Sequence, residues 1–204
     1  MSAWWMIPLV GALYGCAAFL AVQLSASICA GIVPFEDGPK PGKPPTAWLI
    51  GGAIVAGAIM TMRGADLPQL GLAALLIVSL IASWYSDVLV GIVPDYFTLV
   101  PLGALLLLAV VGHEWSTFIA MTAITVPFAV AAYLSKGRGM GWGDVKLVAL
   151  GGAALGLQTA VIAFAGACLL AVIIAVLRKR RHEPIALAPY LAAAIGVALT
   201  FNFF

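Results

Sequence analysis

Long apolar runs separated by short polar islands define this chain from one end to the other. Trp4 to Val33 carries no charged residue. After a polar stretch the pattern resumes at Ala47 to Met62, stops at Arg63-Gly64-Ala65-Asp66-Leu67-Pro68, and continues from about Leu70 to Ser86. A fourth run covers roughly Tyr96 to Gly112 and a fifth roughly Ser116 to Leu134. Val145 to Leu177 stays apolar for about 33 residues, more than the roughly 20 that one straight span needs. Gly156-Leu157-Gln158-Thr159 interrupts it and predicts a tight turn between a short sixth helix and a seventh. Ile185 to Phe204 closes the chain. Barrel strands would alternate and would not sustain such runs, so the pattern predicts about eight helical membrane segments, six or seven if the short ones are re-entrant.

Composition turns this into a class. Of 204 residues, 64% are hydrophobic and 9% charged, and the mean hydropathy is +1.13, which excludes a soluble domain. The expected fold is all-α, a polytopic transmembrane bundle forming one domain over residues 1–204. Cys16, Cys29 and Cys168 are isolated in apolar runs, so neither a zinc site nor a disulfide framework is indicated, and no metal or other cofactor is expected. The first run lacks a basic flank and is too long for a signal sequence, and is expected to be a retained helix with Trp4 and Trp5 at the interface.

Charge placement orients the bundle. Alternating sides across eight segments puts Lys40, Lys43, Lys136, Arg138, Lys146, Arg178, Lys179, Arg180 and Arg181 on one side and only Arg63 on the other. Basic residues collect on the cytoplasmic side of a membrane. The proline- and glycine-rich loop at residues 34–46 and the loops carrying Asp87, Asp95 and Asp144 are thereby expected to face the cytoplasm. His113 and His182 fall on opposite sides and form no joint site. Arg178 to Arg181 reads most simply as a topology signal, and Gly151, Gly152, Ala154 and Gly156 as places of close helix packing.

Ionised groups at the edge of an apolar bundle are costly and call for a reason. Asp95 follows Pro94 at the start of the fourth run, where a carboxylate caps free N–H groups and meets the positive end of the helix dipole. Asp87 has no such benefit, because it ends the third run and opposes that helix's negative end. Asp144 closes a loop, residues 135–146, in which Gly137, Gly139, Gly141 and Gly143 alternate. As the residue before Val145 it suits a helix cap, but the glycines leave room for another backbone beside it. No phosphate-binding spacing can be drawn from them. Two carboxylates from different helices on one membrane face can activate water for peptide hydrolysis, one as base and the other, protonated, polarising the carbonyl.

The run Gly139-Met140-Gly141-Trp142-Gly143-Asp144-Val145-Lys146-Leu147, with Ala149 and Gly151, resembles the GxGD signature of type IV prepilin peptidases. Asp87 followed by Pro94-Asp95 resembles that family's first catalytic aspartate and its Pro-Asp/Asn element. Ala188-Pro189-Tyr190-Leu191-Ala192 is similar to its closing Gly-Pro-Phe/Tyr-Leu-Ala segment, with Leu187-Ala188 in place of Phe-Gly. The resemblance covers roughly Trp48 to Ala194. It implies that Asp87 and Asp144 are the catalytic pair, supported by Asp95, Gly141, Gly143 and Lys146. It also implies prepilin or pseudopilin precursors as substrates, cut at the cytoplasmic face of the bacterial inner membrane, in a pilus or type II secretion system. Long members of the family carry a cytoplasmic domain with two CxxC pairs and also N-methylate the product. Residues 34–45 stand at that position here, so the resemblance does not extend methyl transfer to this chain. Partners beyond the precursor and the lipid bilayer are not indicated, nucleic acid is not expected, and the oligomeric state is left open. The rival reading is a proton- or ion-coupled transporter subunit, with Asp87 and Asp144 as relay carboxylates near mid-membrane and an inverted repeat, of which none is visible.

Overall fold

The computed structural model describes residues 4–31, 45–135, 140–177 and 187–202. They form seven helices: α1 (Met6–Cys29), α2 (Thr46–Met62), α3 (Leu67–Val90), α4 (Asp95–Val111), α5 (Trp115–Leu134), α6 (Trp142–Leu177) and α7 (Ala188–Asn202). There is no strand among the described residues. By length and composition α1, α3, α5 and α6 can cross a membrane, while α2, α4 and α7 are shorter apolar helices. The loop expected at residues 34–46 lies largely outside the described residues, as do Lys136, Arg138, the Arg178–Arg181 cluster and His182.

The longest helix is not straight. Gly156 adopts φ 72° and ψ 171°, a combination open essentially to glycine alone, at the place where the sequence predicts a turn. Thirteen residues of straight helix would separate Gly151 from Phe164 by about 20 Å. Instead a Cβ placed on Gly151 would lie 2.6 Å from Phe164 Cζ. The arm at residues 157–177 therefore doubles back along the arm at 142–155. Gly151 sits against Phe164 and Ile195, and Gly152 against Met121 of α5, as expected for close packing. Gly156 differs from that expectation: nothing lies within 4 Å of its missing Cβ, and its role is conformational.

Two helices organise the rest. α3 packs against α1, α2, α4 and α7, and α6 against α4, α5 and α7. α7 thus lies between them, with Leu191, Ile195 and Leu199 buried alongside Leu147 and Leu150 of α6 and Leu76 of α3. Apolar side chains on the outside, among them Trp4, Trp5, Leu20, Leu107, Ile162 and Leu177, face where lipid would be. An apolar cleft of 670 Å³ opens between α2, α3 and α7, bordered by Trp48, Ile77, Ile81, Trp84, Gly196 and Phe201 among others; neither Asp87 nor Asp144 lines it.

Inside a bilayer every backbone group needs a partner. Pro101 within α4 has no N–H, which frees the carbonyl four residues earlier, that of Phe97. The buried Ser79 hydroxyl of α3 donates to that carbonyl. The same economy joins α1 to α3, where Tyr14 Oη donates to the Leu70 carbonyl at 2.6 Å and Ser25 Oγ to the Ala82 carbonyl at 3.1 Å. Ser79→Ala is expected to destabilise the bundle by about 1–3 kcal/mol, the cost of a stranded buried acceptor. Thermal unfolding in detergent measures it. In a Pro101→Ala background, where the introduced backbone N–H restores the intrahelical bond, the same substitution is expected to cost much less.

Candidate active site

Asp87 stands one turn before the end of α3. The apolar pattern suggested an end at Ser86, yet Val88-Leu89-Val90 continues the helix until Gly91, which takes the left-handed conformation (φ 73°, ψ 18°) and donates its N–H to the Asp87 carbonyl at 2.9 Å. The Asp87 side chain gains nothing from this cap. Its Oδ2 is buried and has no hydrogen-bond partner. A buried carboxylate oxygen left without a donor is costly in a structural role and usual in a functional one.

Asp144 is held differently. α6 begins at Trp142, three residues earlier than the apolar run implied, which makes Asp144 the third helical residue rather than the N-cap. Its Oδ2 accepts the Gly141 N–H at 3.2 Å, the backward half of a capping box. Asp144 N–H in turn reaches the Gly141 carbonyl at 3.2 Å. The carboxylate is therefore fixed to the first turn of α6 by its own loop. The upstream part of that loop, residues 136–139, lies outside the described residues.

Although 57 positions apart, Asp87 and Asp144 come close enough for their charges to interact. The doubling back of α6 also brings Cys168 within electrostatic reach of Asp144, a neighbour that sequence separation gave no reason to expect. Among the described residues no group of three His, Cys, Asp or Glu side chains is placed to hold a metal ion.

The supporting residues surround this pair unequally. A Cβ on Gly143 would lie 3.1 Å from Val93 Cβ, so the absence of a side chain lets the start of α6 press against the connection between α3 and α4. Gly141 contributes its N–H to Asp144 and has ordinary space around it. Asp95 is the first residue of α4, an acidic group in the helix's first turn as expected, and its carboxylate pairs with Lys146 of α6. The pair gives Lys146 a physical role beyond its charge at the surface, joining the starts of α4 and α6. Both side chains remain partly exposed, so the pair contributes at most about 1 kcal/mol. Gly143→Ala is expected to lower stability by about 1 kcal/mol, read by thermal unfolding in detergent, because Val93 and the connection that carries it must give way by a few tenths of an ångström.

A helical membrane bundle that brings two carboxylates from different helices within electrostatic reach of each other near helix ends is the architecture in hand. The chain belongs to the type IV leader peptidase family, whose profile matches residues 74–176 and so includes Asp87, Asp95 and Asp144. It is 34% identical over 177 residues to the prepilin leader peptidase/N-methyltransferase of two strains of Burkholderia pseudomallei, covering 78% of this chain and 54% of theirs. The chain thus spans about half the length of the curated relatives it matches. No solved structure matches it.

Proposed function

We propose that this protein is an aspartic endopeptidase that removes the short basic leader from prepilin or pseudopilin precursors, with Asp87 and Asp144 as its catalytic pair. The observation that carries the proposal is the approach of these two carboxylates, one of them with a buried oxygen that no protein group satisfies. One carboxylate takes a proton from water as the oxygen attacks the scissile carbonyl. The other, protonated, hydrogen-bonds the carbonyl oxygen as negative charge develops there. The proton held by the base then passes to the departing amine nitrogen, and the C–N bond breaks. Asp95 and Lys146 act as a strap between two helix starts, Gly141 as the donor that aims Asp144, and Gly143 as the point of close contact.

The proposed setting is the inner membrane, with the pair at the cytoplasmic face. The distribution of lysine and arginine supports this side, and a basic leader would remain there. Asp87 lies within one turn of the end of α3 and Asp144 in the first turn of α6, positions that suit a protease at the membrane rim better than a relay at mid-membrane.

Purified protein in detergent is expected to convert a precursor bearing a basic leader and a hydrophobic segment into two products, read by mass and N-terminal sequencing. For the side, cysteines introduced at Glu114 and Tyr96 in a cysteine-free background are to be probed with an impermeant thiol reagent on intact cells. Labelling at position 114 and protection at 96 are expected. Proton flux in liposomes with no cleavage would favour the transporter reading.

A further inference from the structure

One turn before Asp87 on the same helix lies Ser83, whose side chain is fully buried. Its Oγ has no hydrogen-bond partner, and Asp87 Oδ2 is the other buried side-chain oxygen without one among the described residues. The remaining buried serines of this helix are engaged elsewhere: Ser79 with the Phe97 carbonyl and Ser86 Oγ with the Ser83 carbonyl at 3.0 Å. Each of these buried atoms calls for a partner. Their spacing makes it specific.

Residues four apart share a helix face with Cβ atoms roughly 5–6 Å apart, and helical side chains lean toward the preceding turn, so Asp87 leans toward Ser83. A buried hydroxyl and a buried carboxylate oxygen at that spacing are both satisfied by one water between them. We infer that Ser83 is a positioning residue for Asp87, its hydroxyl donating through a single bridging water to Oδ2 and fixing the direction in which the carboxyl group points. The inference rests on the reading of Asp87 as catalytic only for its effect on turnover; the contact itself does not depend on it.

A serine at this position is otherwise hard to account for. An alanine would fill nearly the same space without a stranded hydroxyl, and mid-helix serine usually returns its proton to a carbonyl one turn back. Here it does not, and the nearest unfilled requirement on its own face belongs to Asp87.

The test uses the full chain in detergent with a cleavable precursor, comparing Ser83→Ala, Ser83→Cys and Ser86→Ala. Ser83→Cys nearly keeps the volume and loses most of the donor strength, which separates hydrogen bonding from packing. Loss of one hydrogen bond to a carboxyl group is expected to lower kcat roughly 10-fold in both Ser83 variants with KM unchanged. Ser86→Ala is expected to match the parent. In parallel, infrared difference spectra locate the Asp87 carboxyl stretching band as the one lost in Asp87→Asn, and that band is expected to shift in both Ser83 variants. A band that stays in place, or a kcat within about twofold of the parent, overturns the inference. Should Asp87→Asn keep full activity, the catalytic reading falls instead, while the band shift still decides whether Ser83 and Asp87 are joined.

Discussion

Asp87→Asn and Asp144→Asn are each expected to cut the rate of leader removal by at least roughly 100-fold while the protein still inserts and folds. Asparagine keeps the shape of the side chain but can neither take a proton from water nor hold one for the carbonyl. The two losses are expected not to add, because either acid alone leaves the water or the carbonyl unactivated, so the double variant is expected to resemble each single one. Initial rates on a co-purified precursor measure this. Normal processing by either variant would end the two-aspartate proposal. The substitutions differ in a second respect. Asp144→Asn keeps an amide oxygen that can still accept the Gly141 N–H, whereas Asp87 Oδ2 has no direct protein partner for an amide to inherit.

Gly156→Ala is expected to cost about 1–3 kcal/mol, the strain of forcing an L-residue into φ 72°, ψ 171°. Space is not the obstacle, since a Cβ there would touch nothing within 4 Å. The damage is expected to reach the site as well, because the return arm presses Phe164 on Gly151 and so seats the first arm that carries Asp144. Thermal unfolding and activity are therefore expected to fall together. Gly166→Ala, at a helical position with equally free surroundings, is the control and is expected to be neutral or slightly stabilising.

Much of this architecture is legible in the chain, and the reasons are physical. Apolar runs locate the helices because lipid and core impose the same demand on a helix over its whole length. The turn at Gly156 shows because a glycine with Gln158 and Thr159 close behind it breaks both apolarity and backbone regularity. Helix ends are less legible. Asp87 stops the apolar pattern but not the helix, which runs on to a glycine able to reverse it; Trp142-Gly143-Asp144 reads as loop although it forms a first turn. The pairing of Asp95 with Lys146 joins residues 51 apart, and the orphaned hydroxyl of Ser83 is a property of packing. Neither leaves any periodic trace.

The Phe97 carbonyl bears on how the protein reaches its membrane. Until Ser79 meets it, α4 carries an acceptor that lipid cannot satisfy, and the helix is only 17 residues long. A segment so burdened partitions poorly by itself. α3 emerges from the ribosome first and already holds the missing donor, so the two are best delivered to the bilayer as a pair.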